Sequence, residues 1–290
     1  MSSIHLTPGV RHMLLATFWF ALMNLAVKKL AHLPTMELVF FRCGIASVIG
    51  LVSLGKEGVE WWGVNRKLLF LRGAFGTIAL FSFFYTLQRM PMGTAVTIQY
   101  LSPVFTSIFA IFILRERVRP LQWFWFMLSF VGVLLIKGFS DGVSWSLLGI
   151  GIASAVFSAL AYNMVRVLKQ REHPLVVVLH FQLIGALAGA VSLFWLWTTP
   201  SWSDLPYIFL MGLFTQWGQD NLTRSLQSER IARVSVLNYL GVVYALLLGF
   251  LFFGEAPDWK DLAGILLVLA GVILNILFSS GSGPAVPTVK

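Results

Sequence analysis

At 290 residues, 58% hydrophobic and 11% charged, the chain has too few charges to cover a soluble surface, because soluble domains carry about 25% charged residues. Its formal net charge of +9 would suit nucleic acid, but the cations fall in short segments between long apolar runs. That placement excludes a basic binding face and fits the loops of a membrane protein. The single cysteine, Cys43, lies inside an apolar run, so an intrachain disulfide is excluded and the redox compartment stays open.

The first apolar run, near 13–27, follows Arg11 and ends at Lys28 and Lys29. It has no small-residue cleavage site and is expected to remain as a first membrane helix. A bilayer core about 30 Å thick takes roughly 20 helical residues to cross. Runs of that length fall near 10–30, 35–54, 67–88, 92–114 and 120–137, then near 146–168, 174–198, 204–227, 231–253 and 258–278. Every backbone polar group in a bilayer needs an internal partner, so these runs read as helices. The period-two alternation of a barrel is absent. The connections are short and hold Pro, Gly and charge, which leaves no room for an extramembrane domain. The expected fold is all-α and integral to the membrane, with ten transmembrane helices.

Ten crossings put alternate connections on one side. Arg11, the cations of 56–72, 115–119, 166–171 and 224–233, and Lys290 share the N-terminal side, fifteen of the 21 Lys and Arg. Lys28, Lys29, Arg89, Lys137 and Lys260 lie on the other, and Arg42 falls within a span. The excess of cations on cytoplasmic loops predicts that both termini are cytoplasmic.

A constant shift of 139 residues relates the two sets of five spans. Phe70, Gly73 and Phe75 fall on Phe209, Gly212 and Phe214. Gln88 falls on Gln227, Tyr100 on Tyr239, Glu116 on Glu255 and Gly132 on Gly271. Asn24 and Asn163 obey the same shift, although the second and seventh spans need a small insertion to align. Five spans is an odd number, so equivalent helices cross in opposite directions. The expected organisation is a first five-helix repeat at 1–138 and an inverted second at 139–278. The tail at 279–290, rich in Gly, Ser and Pro, is expected to be disordered. Inverted repeats characterise many secondary transporters, with the site near the midplane between the halves.

Two stretches, Gln99-Tyr100-Leu101-Ser102-Pro103 followed by Leu114-Arg115-Glu116-Arg117, and Asn238-Tyr239-Leu240-Gly241 followed by Phe253-Gly254-Glu255, each precede an apolar helix with Gly132 or Gly271. Phe40-Phe41-Arg42 in the second span and Gln216-Trp217-Gly218-Gln219 in the eighth complete an ordered set that resembles the EamA-type branch of the drug/metabolite transporter superfamily. The resemblance covers nearly all of 10–278. It implies ten helices around a central cavity, lined mainly by the first four helices of each half, and cargoes such as amino acids, nucleosides and vitamins.

Arg42 is about eight residues beyond Pro34, hence about 12 Å into its helix. An intramembrane guanidinium is costly unless paired or hydrated, so it should face the bundle interior. It reads either as a binding group for a substrate carboxylate or phosphate or as a structural arginine held by an ion pair or carbonyls. Asp220 and Arg224 are four apart and can pair on one helix face, with Gln216, Gln219 and Asn221 nearby. Asp220 reads either as a group that binds a substrate amine or carries a proton, or equally as a structural partner of Arg224 near the cytoplasmic side. Tyr100 and Tyr239, flanked by Gln99 and Asn238, hold equivalent positions and suit a cavity wall. Trp19, Asn24, Gln182, Asn163 and Tyr162 are weaker candidates, and His180 is expected to be a hydrogen-bonded packing residue. Glu116 and Glu255 are expected to bridge loops, and Gly185-x-x-x-Gly189 permits a close helix approach. The flanking residues break the repeat: Pro103 faces Val242 across it and Asp220 faces Phe81. The site is therefore expected to be asymmetric.

There is no phosphate-binding loop and no metal-ligand cluster or nucleophile with its base, so no catalytic residue, cofactor or metal is expected. The expected function is secondary transport of small organic metabolites, amino acids or related compounds, by a multi-pass protein of the bacterial inner membrane. Its partners are a small-molecule substrate and the lipid bilayer, with no nucleic acid, and it acts as a monomer or weak homodimer. The alternatives are a carrier of nucleoside-like or cofactor-like molecules, and an intramembrane enzyme built on Asp220 or His180.

Overall fold

The computed structural model describes residues 7–113, 120–139, 143–169, 171–228, 237 and 239–279, with backbone alone at 136–139, 226–228 and 275–279. The helices are α1 (Pro8–Lys29), α2 (Thr35–Glu57), α3 (Arg66–Arg89), α4 (Met92–Gln99), α5 (Ser102–Ile113), α6 (Pro120–Phe139), α7 (Trp145–Leu168), α8 (Pro174–Ser192), α9 (Leu205–Ser228), α10 (Leu240–Phe253) and α11 (Trp259–Ser279). No strand occurs among the described residues. Six stretches, α1, α2, α3, Met92–Ile113, α7 and α8, are long and apolar enough to cross a membrane. Pro120–Leu135 and Leu240–Phe253 are shorter apolar helices. Asn238, Glu116 and the tail beyond Ser279 lie outside the described residues.

The described helices depart from the expected spans in three places, one of them the ninth span, where α10 begins at Leu240 with Tyr239 in a turn. The fourth span is broken into α4 and α5, because Pro103 has no N–H to give the Gln99 carbonyl. The chain tightens there: the Tyr100 N–H is shared between the Val96 and Thr97 carbonyls and the Leu101 N–H goes to Ile98. The seventh span stops at Ser192 rather than near 198. Pro200 cannot extend that helix, and the Thr198 N–H is taken at 3.0 Å by the Glu37 carboxylate of α2. The stretch so released carries exposed Trp195 and Trp202, as expected of an interfacial belt.

Helices of the first set pack on helices of the second: α1 on α9, α2 on α8, α3 on α7 and α6 on α11. Small residues bring these backbones together. A Cβ added at Gly132 would lie 2.7 Å from the Val268 nitrogen and 2.8 Å from the Gly264 oxygen. One added at Gly271 would lie 2.8 Å from both the Ser129 nitrogen and the Trp125 oxygen. Val268 and Gly264 stand 139 residues beyond Ser129 and Trp125, so the two contacts exchange under the sequence shift. Gly73 against Ile184 and Gly212 against Ile45 form a second such pair. Gly185 and Gly189 are used within the chain, where α8 meets Cys43 and Phe40 of α2.

Polar ties at the helix ends fall into two groups. One group joins His12 to Asn221, the Ser225 hydroxyl to the Gly9 carbonyl, and Glu57 to both Arg224 and His173. In the same group the Glu172 carboxylate accepts the Val64 and Asn65 N–H groups at the start of α3. The other group joins Lys28 to Glu255, His32 to Asp204 and Glu37 to Thr198. The Ser201 hydroxyl, then the Ser201 N–H and His32, holds the Asp204 carboxyl below the usual carboxylate range. Glu255 bridges loops as expected. Gly254, at φ +65°, turns the chain so that the Glu255 carboxylate accepts the Met92 N–H at 2.7 Å while pairing with Lys28.

Candidate functional site

Seven helices surround a cavity of about 140 Å³, with walls from α1, α2, α3, α4, α7, α8 and α9. Its size is below the roughly 300–1,000 Å³ of ordinary ligand pockets, so a ligand of cofactor size needs the helices to part. Of the residues singled out in the sequence, Asn24, Arg42, Gln99, Tyr100, Tyr162 and Gln219 meet at this cavity.

Each is presented by a different local circumstance. Tyr100 and Gln99 stand at the break between α4 and α5. The Gln99 amide is fixed from both ends, donating to the Ser158 hydroxyl at 2.7 Å and accepting from Ser154 at 2.6 Å. Arg42 is buried at 2% exposure. Its Nε donates to Thr215 at 3.0 Å, and its guanidinium carbon lies 5.6 Å from the Phe84 ring and 5.5 Å from the Phe181 ring. It has no ion pair among the described residues, so the ion-paired version of a structural arginine does not apply there.

Other candidates lie outside the lining. Trp19 stacks on Phe214 at 5.5 Å and leans on Trp217, fastening α1 to α9. Tyr239 sits beneath Tyr100 in an edge-to-face pair with centroids 5.2 Å apart. Asn163 donates to the Thr106 and Ala159 carbonyls. Gln216 accepts from Gln182 and donates to Asp220, forming a buried polar chain along one side of α9. Arg224 pairs with Glu57 at 3.3 Å. His180 bonds the Val176 carbonyl of its own helix, as a packing histidine does. Asn238 lies outside the described residues.

Sequence reasoning missed Arg72, counted above among loop cations. It is the seventh residue of α3, 6% exposed, and its guanidinium carbon lies 4.4 Å from the Phe181 ring. The signal was Gly76, one turn on: a Cβ there would lie 2.3 Å from Arg72 Nη1 and 2.8 Å from Phe181. Ser158 and Phe181 were missed too, being ordinary helix residues in sequence. Several wall positions are related by the 139-residue shift: Met23 and Tyr162, Leu80 and Gln219, Phe83 and Leu222, and Arg42 and Phe181, since the matched contacts of Ile45 and Ile184 need no insertion in the second and seventh spans.

Comparison with known proteins agrees with a carrier-like bundle. The sequence model of the EamA-like transporter family matches residues 7–138 and again 144–277. The chain is 32% identical over 276 residues to the pseudopaline exporter of Pseudomonas aeruginosa, covering 93% of this chain and 96% of that one. It is 29% identical to human solute carrier family 35 member G1, covering 90% of this chain and 77% of that one. It is 28% identical to a riboflavin transporter of Rhizobium johnstonii, covering 92% and 88%. A solved crystal structure with 18% identity superposes with a TM-score of 0.68 over 94% of this chain and 97% of the other, a likeness of fold.

Proposed function

Because the chain belongs to the EamA-like transporter family, a multi-pass protein of the bacterial inner membrane and a transporter of small molecules rather than an enzyme, we propose that it is a secondary carrier working by alternating access through the central cavity. Its two halves are five-helix repeats of opposite orientation, residues 1–138 and 139–278, with both termini cytoplasmic. Three observations support this organisation. Contacts such as Gly73–Ile184 and Gly212–Ile45 exchange under the 139-residue shift. The family matches twice along the chain. The two groups of polar ties join only ends that ten alternating crossings would bring to the same face of the membrane. Two halves with the same options pointed oppositely can exchange an outward-open for an inward-open arrangement of similar energy. Gly185 and Gly189 are spent inside the bundle, which supports a monomer as the working unit.

The cargo is a small organic metabolite bearing a carboxylate, amino acids or related compounds. The observation that carries this reading is Arg42, buried in the cavity wall with no ion pair among the described residues. Nucleoside-like or cofactor-like cargo is the second reading, favoured by the riboflavin transporter among the relatives and by the Phe20, Phe83 and Phe181 walls. It requires a much wider cavity than the one described. Uptake into proteoliposomes separates the two: saturable flux of carboxylates, lost in a folded Arg42→Ala protein, supports the first. Flux confined to nucleosides or flavins, indifferent to Arg42→Ala, overturns it.

A further inference from the structure

Arg42 and Arg72 come from different helices, both line the cavity, and both lie against the ring of Phe181. Arg42 donates to Thr215 and, at 3.7 Å, to Cys43 Sγ, which leaves its Nη2 without a protein partner among the described residues. Arg72 makes no hydrogen bond or ion pair among them, and its Nε is sealed from solvent with no acceptor. Neither guanidinium has a carboxylate partner among the described residues. Two like charges held together out of water and unpaired are costly, and the space beside them is the cavity.

Gly76 lines the same cavity, and its missing side chain makes room for the Arg72 guanidinium, since a Cβ there would lie 2.3 Å from Nη1. Asn24, 7% exposed and on the α1 wall, has an amide oxygen with no donor among the described residues. No acid is among the described residues of the lining. The equivalents of Arg42, Arg72 and Gly76 in the other half are Phe181, Met211 and Thr215. The two cations are thus not part of the repeated scaffold.

A guanidinium binds a carboxylate through two parallel hydrogen bonds, and two guanidinium groups require two such partners to be neutralised. Resting on the carrier reading above, we propose that the cargo is a compact organic dianion, with one carboxylate held by Arg42, the other by Arg72, and its carbon chain lying on Phe181. A cavity of about 140 Å³, well below the roughly 300–1,000 Å³ of ordinary ligand pockets, suits a short dicarboxylate.

The test is equilibrium binding to the purified full chain in nanodiscs, by calorimetry and by ligand-induced shift of the melting temperature. The probes are succinate, 2-oxoglutarate, acetate, inorganic phosphate, alanine and putrescine. The dicarboxylates are expected to bind at least about 10-fold more tightly than acetate or alanine, and putrescine not at all. Arg72→Met, which installs the residue of the other half, is expected to weaken dicarboxylate binding on the order of 100-fold, the scale for truncating one partner of a buried charge pair. It should leave acetate binding nearly unchanged. Equal affinity for mono- and dicarboxylates, preference for phosphate, or full dicarboxylate affinity in Arg72→Met overturns the proposal. The ladder of probes on the unaltered protein decides the matter even if a variant does not fold. Counterflow of labelled succinate separates this inference from the carrier reading. Binding without flux sinks the carrier and keeps the anion site, whereas saturable flux of a neutral or cationic compound without dicarboxylate binding does the reverse.

Discussion

Positions 139 residues apart behave in two ways. Where helices touch backbone to backbone, the halves agree: Gly132 meets α11 as Gly271 meets α6, and Gly73 meets Ile184 as Gly212 meets Ile45. Where the same helices turn toward the cavity, the halves disagree. Arg42 stands opposite Phe181, Arg72 corresponds to Met211, and Leu80 corresponds to Gln219. Packing at van der Waals contact tolerates little change in volume, so the scaffold repeats faithfully. A cavity wall has no such constraint, and there positions 139 residues apart carry different chemistry.

The comparison can be broken most severely by moving the charge across it. The double exchange Arg42→Phe with Phe181→Arg keeps the composition and volume of the wall but takes the guanidinium away from Thr215. Carboxylate flux in proteoliposomes is expected to fall on the order of 100-fold, as for a lost buried charge-assisted contact. Flux at the original level would mean that either half can carry the recognition. The scaffold side of the comparison predicts equal sensitivity. Gly132→Ala and Gly271→Ala should each destabilise the purified protein by about 1–3 kcal/mol through overpacking, and by similar amounts. Thermal unfolding followed by tryptophan fluorescence measures this, and a large loss from one glycine alone would contradict equivalent packing.

A smaller effect is expected at the end ties. Glu255→Gln removes the counter-charge of Lys28 and weakens the cap on Met92, so a loss of about 1–2 kcal/mol is expected. Added salt should narrow the gap between the two proteins, since the tie is only partly buried at 11% and 19% side-chain exposure. The smallest effect is at Asp204. Its carboxyl is held below the ordinary range by Ser201 and His32, so in the folded state it stays ionised to lower pH than in the unfolded chain. The stability it lends is complete above the unfolded value near 3.8 and fades as pH falls through the lowered one. The melting difference between the unaltered protein and Asp204→Asn should therefore be constant from pH 7 to about pH 5 and shrink by about pH 3. A difference that grows on acidification would reverse the assignment.

Much of the architecture could be read from the chain because hydropathy and alternation act over whole helices. Long apolar runs are properties of whole segments that no single contact can overrule, and the helices of the described residues follow them. Arg42 was legible for the same reason, as a charge standing alone in an apolar run. Arg72 was not, because it follows Arg66 and Lys67 and a cation that close to a helix start can as easily reach outward to the interface. Only the room left by Gly76 turns it inward. Tyr100 and Tyr239 look alike in sequence, yet one faces the cavity and the other lies under it. Tyr100 stands at the break before Pro103 with the Gly241 backbone beside its hydroxyl, and the Tyr239 ring meets it edge to face outside the lining. Gln216 and Asp220, singled out in the sequence as candidates, are hydrogen-bonded to each other along α9.

Glu255 gives the end of the bundle where α1 finishes a particular mechanical character. One carboxylate holds the ammonium at the end of α1 and caps the first N–H of α4. Lys28 also donates to the Met90 carbonyl just ahead of α4 at 2.7 Å. Drawing α1 away from α4 at that end therefore breaks the bond to Met90 and one of the two bonds to Glu255, while the carboxylate can travel with the partner it keeps. The short turn after α10 is thus tied to whichever of the two helices it follows, and the seam at that end opens on one side of Glu255 or the other.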